Sequence, residues 1–159
     1  LIVQMEMISY RGYPAEQYRV VTEDGYILTL HRIPHGRFGR RGGEPVLLQH
    51  GLLGSSFDFL SPLPNESLSY SLADAGYDVW LGNNRGNIYS TDHIKFKNTD
   101  RRYWNFSWDE MGQYDYPAMI DYVLNVTRQS ALFLVGHSQG AHTFFTATSR
   151  HPEIQKKVL

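Results

Sequence analysis

From Tyr18 the chain reads Tyr-Arg-Val-Val-Thr, turns on Glu23-Asp24-Gly25, and resumes as Tyr-Ile-Leu-Thr-Leu-His-Arg-Ile up to Ile33. Apolar residues flanking a short acidic glycine turn predict an antiparallel hairpin. After Pro45 the pattern changes. Val46-Leu47-Leu48 is a short apolar run, Leu68 to Ala75 has helical spacing, and Tyr77 to Leu81 again reads as a strand. Trp108 to Asn125 places Met111, Tyr114, Ala118 and Tyr122 at helical intervals, with Pro117 acceptable only near a helix start or at a kink. Ala131 to Val135 is wholly apolar, and a helical stretch from about Gln139 to Ser149 is closed by Pro152. Strands that alternate with helices, and that are apolar throughout, predict an α/β fold with a mainly parallel sheet buried on both faces.

Between the hairpin and this alternation lies His35 to Gly43, rich in glycine and arginine. It reads as a surface loop, and nothing extends Arg37, Arg40 and Arg41 into a stripe that would bind phosphate. Fifteen basic against 16 acidic residues leave no overall field to recruit nucleic acid. No cysteine is present, which excludes disulfides and thiolate metal sites. His31 and His35 share a ligand-like spacing, but Pro34 between them, at a strand exit, argues against a metal site, and none is expected. The apolar runs are far shorter than the ~20 residues of a membrane span, so no transmembrane segment is expected. Asn65, Asn105 and Asn125 each open an Asn-x-Ser/Thr glycosylation pattern, which favours a secretory route. No signal peptide or initiator methionine precedes them.

The chemistry concentrates at Gly136-His137-Ser138-Gln139-Gly140, which follows an apolar strand and opens a helix. In a strand-to-helix turn of this form the serine is forced into a strained conformation that projects its hydroxyl, and the residues two before and two after must be small. Ser138 is therefore the candidate nucleophile, and Gly136 and Gly140 the residues that let strand and helix approach. An acyl-transfer site also needs two backbone amides aimed at the oxyanion. Gln139, just after the serine, and Leu52, next to the Gly51 turn after an earlier strand, are the candidates. His137 and His50 are read as hydrogen-bonding scaffold, and Trp104 and Trp108 as core.

The blocks "ISYRGYPAEQYRVVTEDGYILTLHRIPHG", "LLQHGLLGSS", "LADAGYDVWLGNNRGNIYS", "FSWDEMGQYDYPAMIDYVL" and "VGHSQG" occur in this order and cover nearly the whole chain. In them the sequence resembles the acid lipases, the gastric and lysosomal branch of the α/β-hydrolases. The resemblance implies Ser138 as nucleophile, an oxyanion hole of the Leu52 and Gln139 amides, and no cofactor. It also implies triglyceride or cholesteryl ester substrates met at a lipid-water interface, and a secreted or lysosomal location. Asn84 stands where the family commonly has serine. In this reading residues 1–159 are one partial domain, with an N-terminal acid-lipase region to about residue 60 and the elbow-bearing core over 61–159.

That fold orders its triad as Ser, then Asp or Glu, then His. No Asp follows Ser138, Glu153 has no histidine beyond it, and the histidines that do follow the serine, His142 and His151, lie on or at the end of the elbow helix. The expectation is the N-terminal part only of an α/β-hydrolase, with the lid and the rest of the triad elsewhere. Such a chain should be poorly soluble and inactive alone, because its last strand would keep an unpaired edge. The alternatives are a non-catalytic lipase-like lipid-binding or storage protein and, among enzymes, an acyltransferase. The deglycosylated mass of the native polypeptide tests the first reading: it should be more than twice that of 159 residues.

Overall fold

The computed structural model describes residues 3–39 and 41–159. The hairpin forms as expected: β1 (Glu16–Val21) pairs antiparallel with β2 (Tyr26–Ile33), with Glu16 opposite Arg32 and Val21 opposite Ile27. Next come β3 (Pro45–Gln49), α2 (Leu68–Asp74) and β4 (Asp78–Leu81), preceded by α1 (Val3–Tyr10), which the sequence reading did not anticipate. The sheet order is β1-β2-β4-β3-β6, where β6 is Phe133–Gly136, and a two-residue strand β5 (Asp92–His93) also pairs with β2. β4, β3 and β6 run parallel, and the hairpin joins them through an antiparallel β2–β4 contact.

The apolar runs Val46–Leu48 of β3 and Val79–Leu81 of β4 have a direct cause. Alternate side chains enter two different cores, so neither face of these strands meets water. Leu47 and Trp80 pack with Leu28, Leu30, Met119 and Val123 on one face. Val46, Leu48, Val79 and Leu81 pack with Ile8 and Tyr70 on the other. β6 departs from this expectation. It is the outermost strand of the described sheet, its residues are only partly covered, and Val135 is 37% exposed. Leu132, just before β6, makes an isolated bridge to Val158.

The helix expected from Trp108 is not regular. A three-residue turn, α3 (Trp108–Glu110), passes into a π-helical segment, Met111–Asp115, before α4 (Tyr116–Thr127) begins with Pro117 in its first turn. Proline has no N–H for the carbonyl four residues earlier. That carbonyl belongs to Gln113, and it accepts instead a 2.9 Å hydrogen bond from Nε2 of His151, just beyond α5 (Gln139–Arg150). The start of α3 is secured by a capping box between Ser107 and Glu110.

The loop over 35–43 is a surface segment, but its arginines are engaged. Arg37 bonds Asp74 and lies over Tyr13, and Arg41 pairs with Glu16, while Arg40 falls outside the described residues. A different arginine organises the interior. Arg85, fully buried, donates Nε to Asp115 at 2.8 Å and Nη1 to Asp24 at 2.6 Å, and its guanidinium lies 4.0 Å from the Tyr26 ring centroid. It thereby ties the hairpin turn, the exit of β4 and the π segment together. Burial pushes the Asp115 carboxyl up to about 6 against the opposing pull of Arg85. Removing one member of a buried pair strands the other charge. Asp115→Ala should therefore cost about 3 kcal/mol of stability; a urea midpoint close to that of the wild type would contradict this account of the core.

Candidate active site

Ser138 sits between β6 and α5 with φ 51° and ψ −116°, a left-handed conformation that costs a residue with a Cβ on the order of 1–3 kcal/mol. Close packing on both sides keeps it there. A Cβ on Gly136 would stand 2.6 Å from the Ala141 nitrogen, and one on Gly140 would stand 2.6 Å from the Gln49 carbonyl oxygen and 2.8 Å from that of His50. The two glycines are thus the points where strand meets helix and where the helix crosses the end of β3. Backbone bonds fix the turn: the His137 N–H donates to Gln49 O at 2.9 Å, and the Gly140 N–H to His137 O at 2.8 Å. Hydroxyls of Tyr116 and Thr143 donate to the carbonyls of Gly140 and Gln139. Ser138 is exposed, and among the described residues no group bonds its hydroxyl.

The loop after β3 lies against the serine. A Cβ on Gly51 would be 3.2 Å from the Ser138 Cβ and 3.1 Å from His137 Nδ1. Leu53 follows at φ 60°, and Leu52 and Leu53 are both exposed. Among the described residues, the amides of Leu52, on the loop that touches the serine, and of Gln139, the residue after it, donate to no acceptor in the chain. The positive end of the α5 dipole adds to the field at Gln139. A cavity of about 470 Å³ adjoins, with His50, Leu52 and Gln139 at one part of its wall and Ile88, Trp104, Phe106 and Met111 at another. Polar donors beside an apolar wall suit an ester carbonyl that carries a hydrocarbon chain.

Several expectations change at this point. Trp104 and Trp108 are not core: they are 50% and 52% exposed, and Trp104 lines the cavity. Trp104 ends a short 3-10 turn and Trp108 opens α3, so each indole stands at an element's end with half of it uncovered. The exposed His137 is held through its backbone, and its ring makes no hydrogen bond among the described residues, so it is not a side-chain scaffold. His50 is one: it is 3% exposed and bonded through both ring nitrogens. His142 stacks on Trp108 with ring centroids 4.5 Å apart, and His151 is held by Gln113, so neither is arranged to take a proton from Ser138. No group of His, Asp or Glu among the described residues is arranged to hold a metal ion, and no described helix is long and apolar enough to cross a membrane. Asn65, Asn105 and Asn125 are all exposed.

The sequence reading missed the polar turn Asn83 to Asn87, whose asparagines tie β4 to the loop after β3. Ser56 N–H donates to Asn83 Oδ1 at 3.0 Å, and Asn83 Nδ2 donates to Thr29 O at 3.0 Å. A run of Asn and Gly directly after a buried strand was the available signal. Below this turn His31, buried, meets Ser56 Oγ at 2.9 Å, and burial lowers its pKa to about 4.

This architecture, a parallel sheet whose strand-to-helix elbow presents a strained serine, defines an α/β-hydrolase. The chain belongs to the alpha/beta hydrolase fold family, which matches residues 44–159, and residues 4–63 match the partial alpha/beta-hydrolase lipase region. It is 52% identical over 156 residues to human Lipase member K, 51% to human gastric triacylglycerol lipase and 51% to human lysosomal acid lipase/cholesteryl ester hydrolase. The resemblance to acid lipases is borne out. Each alignment covers 96% of this chain and 39% of the relative, so the chain spans about two fifths of their length. Among solved structures, an esterase from Pyrococcus furiosus superposes with a TM-score of 0.65 at 17% identity, over 92% of this chain and 50% of that one. An epoxide hydrolase from Vigna radiata does so at 0.58 and 18%, over 91% and 36%. At such identity these two show the fold alone.

Two measurements test the site's construction. Gly140→Ala forces a methyl group against two backbone carbonyls and should destabilise by about 1–3 kcal/mol, read as a lower thermal midpoint. The second concerns pH. With a folded pKa near 4 against an ordinary 6.5, His31 binds fewer protons in the folded protein than in the unfolded chain across that window. Its contribution to stability is therefore lost as pH falls from 6.5 to 4, while Asp115, shifted upward, acts in the opposite sense. His31→Asn should remove the first effect only, so the difference in urea midpoint between wild type and variant should change steadily over that range.

Proposed function

We propose that this chain carries the nucleophile and oxyanion hole of a serine ester hydrolase that acts on triglycerides or cholesteryl esters. The observation that carries the reading is Ser138, held at φ 51° between two free backbone amides beside a partly apolar cavity. The Ser138 oxygen attacks the ester carbonyl carbon as a general base takes its proton. The carbonyl oxygen becomes an oxyanion that accepts hydrogen bonds from the Leu52 and Gln139 amides. Collapse of this intermediate expels the alcohol, which receives the proton, and leaves an acyl group on Ser138. Water then attacks the acyl-enzyme by the same route and releases the fatty acid. No metal or organic cofactor enters these steps. Relatives at 51% identity whose names are gastric triacylglycerol lipase and lysosomal acid lipase/cholesteryl ester hydrolase support the choice of substrate.

The base and its carboxylate partner come from outside these 159 residues in this reading. Its support is that no Asp follows Ser138 and that His142 and His151 are engaged elsewhere. The exposed Leu52, Leu53 and Ile88 around the cavity suit contact with a lipid-water interface. The three exposed asparagines of the glycosylation patterns suit a secreted or lysosomal protein.

The same lack of a base favours a second reading, a non-catalytic lipid-binding protein. A fluorophosphonate probe separates the two in the native full-length protein. Covalent labelling at Ser138, lost in Ser138→Ala together with all triglyceride hydrolysis, is expected; no labelling of native protein supports the binding reading. The 159-residue chain alone should turn over no ester.

A further inference from the structure

The fully covered His50 ring has a tautomer dictated by its neighbours. Its Nδ1 lies 2.8 Å from the Gly51 carbonyl oxygen, which can only accept, so Nδ1 bears the proton. Its Nε2 receives the Asn84 backbone N–H at 3.2 Å, which can only donate, so Nε2 is bare. Asn87 Nδ2 approaches the same Nε2 at 3.2 Å. The Asn87 amide cannot be turned round, because its Oδ1 accepts the N–H groups of Tyr89 and Ser90 at 3.0 and 3.1 Å. Every contact demands the same form of the ring. Burial also lowers the pKa of His50, which favours the neutral imidazole.

The position of that Nδ1–H matters for the next peptide. The C=O of Gly51 and the N–H of Leu52 belong to one planar trans unit and point in opposite directions. The carbonyl is held by His50 Nδ1–H at 2.8 Å and by the Gly54 N–H at 3.1 Å. Its partner, the Leu52 N–H, has no acceptor among the described residues and lies on the loop that touches Ser138. We infer that His50 is the positioning residue of the oxyanion hole: by fixing the Gly51–Leu52 peptide it aims the Leu52 amide, and Asn84 and Asn87 hold its ring in the tautomer that does so. The inference rests on the reading of Ser138 as nucleophile. His50 lines the cavity, but both of its ring nitrogens are engaged within the chain, so it acts through the Gly51–Leu52 peptide.

Two substitutions divide the ring's functions. In His50→Asn the side-chain NH2 stands as many bonds from the backbone as Nδ1 and can still donate to the Gly51 carbonyl, but nothing accepts from Asn84 and Asn87. In His50→Gln the side-chain oxygen reaches the place of Nε2 and satisfies those donors, while the donor to Gly51 is lost. In the native full-length enzyme, His50→Gln should lower kcat for a soluble ester about 30-fold with KM within about twofold, since a single well-placed oxyanion donor is worth about 100-fold or more. His50→Asn should keep kcat within about fivefold of wild type yet unfold at a lower urea concentration than His50→Gln. Activity and stability then move in opposite order, which a purely structural histidine would not produce. If kcat follows the unfolding midpoint across the pair, or His50→Gln is as active as wild type, the assignment is overturned. Fluorophosphonate labelling keeps the two failures apart. An unlabelled wild type overturns the nucleophile reading and this one with it, whereas a labelled wild type with a flat response overturns only the role of His50.

Discussion

A serine with positive φ persists only where its surroundings leave it no relaxed alternative. Here the constraint is the crossing of β6 and α5 over the end of β3, where Gly140 rests on the carbonyls of Gln49 and His50. The same crossing brings the loop after β3 into contact with the serine. A larger residue at position 140 would separate helix from strand and release the turn. The sheet is needed here less as a shape than as a rigid seat for one strained residue.

Buried polar groups extend this rigidity outward. Arg85 links the β1–β2 turn through Asp24 to the π segment through Asp115, and the following residues form part of the cavity wall. The π segment leads directly into Pro117, and His151 takes up the carbonyl that proline leaves free. Such ties are strong only while complete, because an unpaired charge or amide in this interior has no water to turn to. The polar turn over 83–87 and the Arg85 cluster thus hold the cavity wall, while the apolar faces of β3 and β4 hold the sheet.

Much of this architecture was legible in the residues. The hairpin follows from the Glu23-Asp24-Gly25 turn between apolar runs, and β3 and β4 follow from Val46–Leu48 and Tyr77–Leu81, because strands covered on both faces must be apolar throughout. The elbow was readable because close approach demands glycine at 136 and 140, a requirement of backbone sterics that survives any detail of packing. Less visible was the exposure of β6, whose apolar residues match those of a covered strand; position in a sheet order is not written in a strand's own composition. Trp104 was misplaced for a similar reason, since an aromatic side chain carries no mark of whether it fills a core or a cavity wall.

The residues alone determined the chemistry on offer: one serine between two glycines, an earlier glycine turn, and no acid after it that a histidine follows. These are local facts, fixed by which backbone conformations each residue type tolerates. Only the tertiary structure decided which histidine does what. His142 stacks on Trp108, His151 caps a carbonyl, His31 is buried against Ser56, and His50 is locked by two asparagine-derived donors. An imidazole can donate, accept, stack or carry charge, and only its neighbours in space select among these.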